Sequence, residues 1–333
     1  MLPRDNRLSQ GGFKMVCYNP KPAKWHYQNK LDEKTGEIYK TKNLKFLSWS
    51  EIDIDTPWQE NITMIPCGKC AGCQIDKAND WATRAILEAK EHKNNAFITL
   101  TYANDKLPKN RSLCKTDLQK FFKRFRKKGY KIRYFACGEY GPRTLRPHYH
   151  AIIYNWWPQD AKTHTKNITE DTLFTSKELE KIWGKGFCIV GRVTYETAAY
   201  VARYVYKKAF GQNKDWNTKH GRQAEFILTS RRPALAMSSI TNQTKWEKIR
   251  RTDGIILKTK TGIKIKKIPQ FLRNKWRELL DREEYYKYFD KRARELKTIA
   301  HARDTSDNWW QYQKKQIEIA SEKYKRLDKR KDI

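Results

Sequence analysis

Two histidines, His148 and His150, stand one residue apart in the run RPHYHAIIY (146–154). The apolar and β-branched residues that follow them predict a strand, and Pro147 is typical of a strand's first position. Residues i and i+2 of a strand share one face, so both imidazoles are expected to point the same way. Two neutral imidazoles on one face form half of a metal site; alternatively, both are ordinary polar residues on a solvated sheet face.

A carboxylate close to this pair is supplied by Glu139, which closes the preceding predicted strand in CGEYG. An antiparallel return across the intervening turn would bring Glu139 beside His148 and His150. Two histidines and one carboxylate make a facial set of ligands that leaves positions open for water or a phosphate oxygen. A non-haem iron oxygenase also uses such a set, but that class does not explain the charge of this chain.

Two tyrosines, Tyr200 and Tyr204, lie four residues apart in the predicted helix AAYVARYVYKK (198–208). This spacing puts both phenols on one helix face. The alternative is an amphipathic core pair with hydroxyls at its rim. A phenol is a poor nucleophile alone, but a phosphodiester polarised by a metal ion is a better electrophile. The ligand set and the tyrosine pair therefore fit a metal-dependent nuclease for single-stranded DNA.

The cysteine run CGKCAGC places Cys67, Cys70 and Cys73 at C-x₂-C-x₂-C spacing, and Cys17 offers a fourth thiolate from upstream. Tight C-x₂-C spacing with small intervening residues is a thiolate–metal pattern rather than a disulfide framework. It favours structural zinc, with reduced free thiols and an iron–sulfur cluster as the alternatives. We expect the site to tie the N-terminal segment to the start of the next helix.

The 333 residues carry 70 Lys and Arg against 37 Asp and Glu, a formal net charge of +33. Such an excess opposes compaction unless a polyanion binds, so nucleic acid is the expected partner. No apolar run is long enough to span a bilayer, and the N-terminus lacks a signal-peptide pattern. We therefore expect a soluble, intracellular protein without a membrane partner.

The hydrophobic periodicity predicts alternating helices and strands. A capping box at Thr116 and Gln119 is expected to open the helix LQKFFKRFRKK, which Gly129 ends. Residues 1–66 and 155–172 show no clear periodicity and are expected to be irregular. Further predicted elements are helices at 74–92, 176–183 and 198–208, strands at 96–102, 132–139, 146–154, 187–193 and 226–230, and a basic hairpin at 255–267 with its turn near Thr261 and Gly262.

The strands lack the continuous apolar runs of a buried parallel sheet, which indicates an α+β fold with a central antiparallel sheet and helices on one side. We expect three regions: an N-terminal segment with the cysteine clip (1–73), a core (74–250), and a basic hairpin followed by a charged helical C-terminal region (251–333).

Three blocks in order, FITLTY (97–102), RPHYHAIIY (146–154) and YVARYVYKK (200–208), resemble the motifs of rolling-circle replication initiators of the HUH endonuclease superfamily. With CGKCAGC, CGEYG, SRRP (230–233) and a late KIP, the chain is similar to the replication initiators of gokushoviruses, small single-stranded DNA phages of the Microviridae. The family commonly has Pro-Gly-Ile-Gly after the paired arginines, where this chain has PALA (233–236).

The resemblance implies an HUH-type endonuclease core, with Mg²⁺ or Mn²⁺ held by His148, His150 and Glu139. One of the two tyrosines would attack the scissile phosphate at an origin and form a 5′-phosphotyrosine. Host polymerase and helicase would extend and unwind the strand in the bacterial cytoplasm, and the second tyrosine would allow rejoining. Thr99 and Thr101 are expected to support the site rather than react.

Candidate DNA contacts flank the tyrosines and lie on the basic helix: Arg203, Lys207, Lys208, Lys123, Arg124 and Lys127. For each of them a solvated charged face is the alternative. Two other functions stay open. A non-catalytic single-strand-binding or packaging protein with a zinc clip explains the charge and the cysteines but not the histidine and tyrosine pairs. A relaxase or single-strand transposase shares the chemistry but not the cysteine run.

Overall fold

A computed structural model describes residues 17, 19–31, 36, 38–51, 62–141, 144–166, 171–210, 219–252, 254–259 and 262–281, with five positions beyond 282. By its contacts the chain divides into two compact units, residues 1–74 with 280–333 and residues 75–279. The hairpin expected in the third region belongs to the second unit. The predicted turn residue Thr261 and most of the predicted C-terminal helical region lie outside the described residues.

The first unit contains a three-stranded antiparallel sheet of order β2-β1-β3. Its strands are β1 (Lys21–Leu31), β2 (Ile38–Phe46) and β3 (Ile62–Ile65). The expectation that residues 1–66 are irregular is therefore wrong. Most described residues of β1 beyond Ala23 are exposed. The segment does carry a period-two pattern, because Ala23, Trp25, Tyr27 and Leu31 alternate with polar residues, and the prediction overlooked it.

The second unit is built on a seven-stranded sheet of order β10-β5-β6-β4-β9-β8-β7, in which all neighbours are antiparallel. This confirms the predicted α+β class with a large antiparallel sheet. The strands are β4 (Asn95–Thr101), β5 (Arg133–Tyr140), β6 (Pro147–Tyr154), β7 (Lys162–Lys166), β8 (Thr172–Thr175), β9 (Cys188–Arg192) and β10 (Phe226–Thr229).

Four helices and the remaining ribbon match predicted elements to within a few residues, and the helix at 270–279 lies in the region expected to be helical. The helices at 238–241 and 243–251 were not predicted. The helices are α1 (Ala71–Ala89), α2 (Lys115–Lys127), α3 (Lys177–Trp183), α4 (Tyr195–Phe210), α5 (Ser238–Thr241), α6 (Gln243–Arg251) and α7 (Gln270–Leu279). The basic hairpin is formed by β11 (Ile255–Thr259) and β12 (Gly262–Lys266). Strands β7 and β8 were not predicted, so the expectation that residues 155–172 are irregular is wrong. The five residues of β7, KTHTK, are all exposed.

Helices cover both faces of the large sheet, which corrects the expectation of helices on one side. On one face, α2 and α3 pack through residues such as Phe121 and Trp183. On the other face, α1 and α4 pack through Ala82, Ala85 and Val201. Successive residues of β4, β5 and β6 alternate between these two layers, so each strand serves two cores.

The amphipathic pattern of α2 is confirmed, since Leu118, Phe121, Phe122 and Phe125 are buried. Gly129 follows the helix with a φ of 88°, as a left-handed helix end favours. The predicted capping box is wrong: the helix begins at Lys115 with Cys114 in the N-cap position. Thr116 therefore lies inside the first turn.

The centre of β6 is fixed from the layer opposite its histidines by Tyr149, which is fully buried. Its hydroxyl accepts the Cys114 backbone N–H at 2.8 Å and lies 2.8 Å from the Tyr102 hydroxyl. The Tyr102 hydroxyl in turn donates to Asp117 of α2 at 2.8 Å. These contacts hold β6 in register from behind, while the residues on either side of Tyr149 face the other layer.

Candidate active site and cysteine cluster

The hairpin of β5 and β6 brings the predicted ligands together. Glu139 pairs directly with His148, and Cys137 pairs with His150. On the other side of β6, Thr101 pairs with His148 and Thr99 with His150. Because side chains alternate along a strand, Glu139 and both histidines share the face covered by α1 and α4. The antiparallel return expected from the sequence therefore exists.

One carboxylate oxygen of Glu139 is the meeting point of the cluster. Its Oε1 lies 2.6 Å from His148 Nε2 and 2.8 Å from His150 Nε2. The potential ligand atoms of all three residues lie within 4.8 Å of one another. Glu139 is only 2% exposed, so the group is protected from bulk water on its inner side.

The far ring nitrogens of both histidines are held by other groups. His148 Nδ1 lies 3.0 Å from the Arg146 carbonyl oxygen, and His150 Nδ1 lies 2.9 Å from Thr99 Oγ1. The Phe97 ring is parallel to the His150 ring, with centroids 5.8 Å apart. Thr99 therefore has the supporting place expected of it. Partners of this kind fix the orientation of metal-binding histidines.

The electrostatics of the site favour a negative Glu139. Burial alone raises the pKa of this carboxyl, but the hydrogen bonds and charges of both histidines outweigh burial and bring the pKa to about 2. Burial lowers the pKa of His148, yet its bond to Glu139 raises it more, so the net direction is upward. Glu139 and His148 therefore stabilise each other as charged species.

The donor set fits a divalent cation. A carbonyl oxygen can only accept, so His148 Nδ1 must donate to Arg146. A neutral His148 would then direct its Nε2 lone pair at a carboxylate oxygen, which is repulsive unless a proton or a cation lies between them. Nitrogen and carboxylate donors converge here from one side, which is the arrangement of a facial ligand set.

The Tyr200 hydroxyl lies over this cluster. It donates to Glu139 Oε1 at 2.9 Å and lies 3.5 Å from His150 Nε2. The Tyr200 and His150 rings meet edge to face with centroids 4.8 Å apart. Burial raises the pKa of Tyr200, and the negative charge of Glu139 raises it further. The phenol is therefore held in its protonated form beside three potential ligands.

Helix α4 delivers Tyr200 because its start is fixed. Thr194 Oγ1 accepts the Thr197 N–H at 3.3 Å, and Thr197 Oγ1 accepts the Thr194 N–H at 2.9 Å. This reciprocal cap satisfies N–H groups at the helix start. Ala198, Val201 and Ala202 are fully buried, and they turn Tyr200 toward the sheet. Arg203 is exposed and lies 4.7 Å from the Tyr200 ring centroid, in cation–π contact.

Tyr204 lies one turn after Tyr200 on the same helix. The side chains of Tyr204, Lys207 and Lys208 are outside the described part of the chain, so their predicted roles remain predictions. Lys123 and Lys127 are exposed on α2, on the sheet face opposite the ligands. Arg124 donates to the carbonyl oxygens of Ile182 and Trp183 and so ties α2 to α3.

The second predicted metal cluster also assembles. Potential ligand atoms of Cys17, Cys67, Cys70 and Cys73 lie within 4.8 Å of one another. The Sγ atoms of Cys17 and Cys70 are 3.7 Å apart. A tetrahedron with Zn–S bonds of about 2.3 Å has S···S edges of roughly 3.8 Å, and the separation of Cys17 and Cys70 is close to that length.

Local turns shape the cysteine cluster. Cys67 Sγ accepts the Cys70 N–H at 3.3 Å, and Cys70 Sγ accepts the Cys73 N–H at 3.5 Å. Gly68 adopts a φ of 71°, which lets the chain turn between the first two sulfurs. Burial raises the pKa of Cys17 to about 11. Burial also raises that of Cys67, but the N–H groups of Cys70 and Lys69 bring it to about 7.

Two contributors to the site were missed. Phe97 could have been found, since it is two residues from Thr99 on the same predicted strand and therefore shares its face. The Arg146 carbonyl could not, because a backbone acceptor has no sequence signal. In the described part of the chain, no helix is long and apolar enough to cross a membrane.

Comparisons with known proteins agree with these motifs. Residues 95–209, from β4 through most of α4, match the family model of the replication-associated protein ORF2. The replication-associated protein ORF2 of Spiroplasma virus 4 is 33% identical over 242 residues, covering 69% of this chain and 73% of that protein. VP4 of Bdellovibrio phage phiMH2K is 37% identical over 160 residues (45% and 50%). ORF4 of Chlamydia phage 1 is 31% identical over 187 residues (54% and 47%).

No solved structure matches the chain. The matched segment contains the two histidines, Glu139 and both tyrosines, and the relatives are replication-associated proteins of phages. The resemblance to gokushovirus replication initiators is thereby confirmed. The chain belongs to the ORF2 family of phage replication-associated proteins.

Proposed function

We propose that this replication protein nicks and rejoins single-stranded DNA at the phage origin, with Tyr200 as a nucleophile. The observation that carries the proposal is the position of the Tyr200 hydroxyl, 2.9 Å from Glu139 Oε1 and 3.5 Å from His150 Nε2. A nucleophile beside a facial ligand set is what metal-assisted phosphodiester cleavage requires.

In the cleavage step the Tyr200 oxygen attacks phosphorus. A bond forms between phosphorus and the tyrosine oxygen, and the bond from phosphorus to the 3′ oxygen breaks. The phenol loses one proton and the departing 3′ oxygen gains one, so charge and protons balance. The products are a 5′-phosphotyrosine and a free 3′-hydroxyl, which host polymerase would extend, with a host helicase, in the bacterial cytoplasm.

Different residues of the site are proposed to hold the metal, orient its ligands and contact the DNA strand. His148, His150 and Glu139 would hold Mg²⁺ or Mn²⁺, which when bound polarises the scissile phosphate and offsets negative charge. Thr99 and Phe97 keep the His150 ring in place. The Glu139 oxygen holds the Tyr200 hydroxyl within reach of the reacting phosphate. Arg203, in contact with the Tyr200 ring, adds positive charge where the strand lies.

Tyr204 is the proposed second nucleophile. On a helix it follows Tyr200 by one turn, so both phenols can serve one ligand set. After one round of synthesis, attack by Tyr204 on the regenerated origin would free a new 3′-hydroxyl. That hydroxyl would attack the Tyr200 linkage, release the phenol and close a circle.

We also propose that the four-cysteine cluster holds Zn²⁺ as a structural ion. Four thiolates leave no coordination position for substrate, which is typical of structural zinc. The convergence of four cysteine ligand atoms to within 4.8 Å of one another supports a metal site.

Covalent attachment tests the nuclease function. Overlapping single-stranded oligonucleotides covering the viral genome are incubated with the protein and Mn²⁺, and a denaturing gel shows any oligonucleotide joined to protein. We expect an adduct on the origin fragment that EDTA prevents, that Tyr200→Phe reduces and that Tyr200→Phe combined with Tyr204→Phe abolishes. Tyr195→Phe is the matched control, because its phenol is on the same helix but bonds to Asn79 at 3.2 Å.

An adduct that persists in Tyr200→Phe and disappears in Tyr204→Phe would move the first attack to Tyr204. If no oligonucleotide is ever attached with Mg²⁺ or Mn²⁺, the alternative of a non-catalytic single-strand-binding or packaging protein replaces this proposal.

A further inference from the structure

The turn that follows β10, residues 230–237, is hydrogen-bonded to the buried carboxylate of Glu88. Glu88 of α1 is 5% exposed, and its Oε2 accepts the Ala236 N–H at 2.7 Å. Its Oε1 accepts from Arg133 Nε and lies 3.2 Å from His92 Nε2. Arg133 also donates through Nη2 to the Pro233 carbonyl at 2.8 Å. Two charged side chains therefore bind this turn at backbone groups three residues apart.

A second buried cation holds the same turn. Both Nε and Nη2 of Arg84 lie 3.4 Å from the Leu235 carbonyl oxygen. The guanidinium is enclosed by two rings, 4.3 Å from the Trp81 centroid and 3.8 Å from the Phe271 centroid. Burial lowers the pKa of Arg84 to about 10. Burying charged groups is costly, so a network of this kind is expected where a fixed backbone is needed.

The backbone of the turn is itself strained. Ala236 has a φ of 65°, in the region that favours glycine. This is the position where related initiators commonly carry the second glycine of Pro-Gly-Ile-Gly. The bond from Glu88 to the Ala236 N–H keeps the left-handed turn although the residue is alanine. The chain therefore keeps a tight turn at this position with alanine in place of glycine.

The held turn presents two arginines to solvent. Arg231 and Arg232 are exposed, and neither has a hydrogen bond or ion pair with another described residue. The turn lies on the sheet face of the active site, since Leu235 packs with residues of α1 and α4. Ser230 follows β10 and bonds to Tyr134, five residues before Glu139 on β5. Five strand residues span about 17 Å.

We propose that Arg231 and Arg232 form a phosphate-binding turn for the DNA strand that reaches Tyr200, and that Glu88 is its positioning residue. The inference rests on the proposed function, because the strand is the substrate of that site. A planar guanidinium matches the geometry of a phosphate, and a fixed turn loses little conformational entropy on binding. A guanidinium stays protonated and is not a nucleophile, so the proposed role of the turn is to bind DNA rather than to react with it.

Salt-dependent binding tests this turn. Anisotropy of a labelled single-stranded oligonucleotide of mixed sequence is measured in EDTA from about 50 to 200 mM salt, so that no cleavage occurs. Each phosphate contact on a single strand contributes about 0.7 to the slope of log affinity against log salt. We expect Arg231→Gln with Arg232→Gln to reduce the slope by about 1.4 and the affinity roughly 25-fold at about 0.1 M salt.

The matched control is Lys248→Gln with Arg251→Gln, which removes two exposed cations from α6. It should leave the slope close to that of the unchanged protein. An unchanged slope in the arginine variant, or an equal loss in the control, would overturn the proposal. If the arginine variant reduces the slope but the unchanged protein never forms an adduct, the phosphate-binding turn is supported and the nuclease function is rejected. Failure of the turn and failure of the nuclease function therefore give different results.

A double-mutant cycle tests the role of Glu88. Glu88→Gln should weaken binding in the unchanged protein but add little to the arginine variant, because a misplaced turn and a missing arginine lose the same contacts. Additive losses would show that Glu88 acts only on stability. Whether the turn contacts phosphate is decided by the variant that replaces both arginines. The side chains of Arg231 and Arg232 are exposed, so replacing them should leave the fold intact.

Discussion

The two ligand clusters of this protein are built by opposite means. The cysteine cluster takes three of its four ligands from seven consecutive residues, and backbone N–H groups of the same turns bond its sulfurs. The cluster of Glu139, His148 and His150 depends on the register of neighbouring strands and on a helix that covers them. One site is a product of local turns, whereas the other requires the whole sheet.

The two clusters also differ in the number of coordination positions that they would leave open on a metal ion. Four thiolates complete a tetrahedron around a metal ion. Two imidazoles and one carboxylate do not complete a coordination sphere, and the Tyr200 hydroxyl lies over them. A closed site is suited to holding structure, and an open one to binding substrate. The comparison therefore predicts that stability and activity respond to changes at different clusters.

The largest expected effect is on activity. His150→Ala should lower the rate of adduct formation about 10⁴-fold, since it removes a ligand and with it several kcal/mol of transition-state stabilisation. The melting temperature should also fall, because the buried Glu139 loses a partner and a cavity replaces the ring. The rates are therefore compared at a temperature at which this variant and its control are folded. His164→Ala, on the exposed strand β7, is the control and should retain the rate. Equal rates in the two variants would place the metal elsewhere.

The next effect is on stability. Cys70→Ser should remove bound zinc, measured by elemental analysis, and destabilise the first unit by about 3 kcal/mol or more, because metal binding contributes to folding. Cys188→Ser changes a buried thiol of β9 and should leave the zinc content unchanged. If Cys70→Ser retained zinc and full stability, the contrast between a structural and a reactive cluster would fail.

A smaller effect separates orientation from ligation. Thr99→Val removes the partner of His150 Nδ1 and should weaken Mn²⁺ affinity about 10- to 100-fold, with the rate restored at saturating Mn²⁺. Thr101→Val is the matched control, because its hydroxyl donates to the Phe187 carbonyl instead. Mn²⁺ titrations of adduct formation measure both. A loss that saturating Mn²⁺ cannot restore would make Thr99 more than a positioning residue.

The smallest effect tests the local character of the cysteine cluster. Gly68→Ala should cost about 1 kcal/mol, because no side-chain clash arises but the φ of 71° is unfavourable for alanine. Gly68→Asn should lose less, since asparagine tolerates this conformation better. Thermal unfolding of the three proteins ranks them. A cost for asparagine equal to that for alanine would mean that strain is not the cause.

The sequence predicted that Glu139 lies beside His148 and His150, because period-two alternation and one turn suffice to place these three residues together. It predicted α2 because four large apolar residues fall on one helix face. It failed at β7, where exposed polar residues carry no apolar alternation. It also failed at β1, where the alternation of Ala23, Trp25 and Tyr27 with polar residues was overlooked. It also failed at Thr116, because the helix begins one residue earlier at Lys115 and Cys114 occupies the cap.

The bonding of Tyr149 has a consequence for how this family can change in length. Tyr149 anchors β6 on the sheet face opposite the histidines. Inserting or deleting one residue within the strand would therefore turn that phenol toward Glu139 and both imidazoles into the aromatic core. Length variation in natural relatives should therefore fall in the turn between Gly141 and Arg146 or beyond Tyr154. Within β6, functional relatives should tolerate only insertions or deletions of two residues, which keep each side chain on its face of the sheet.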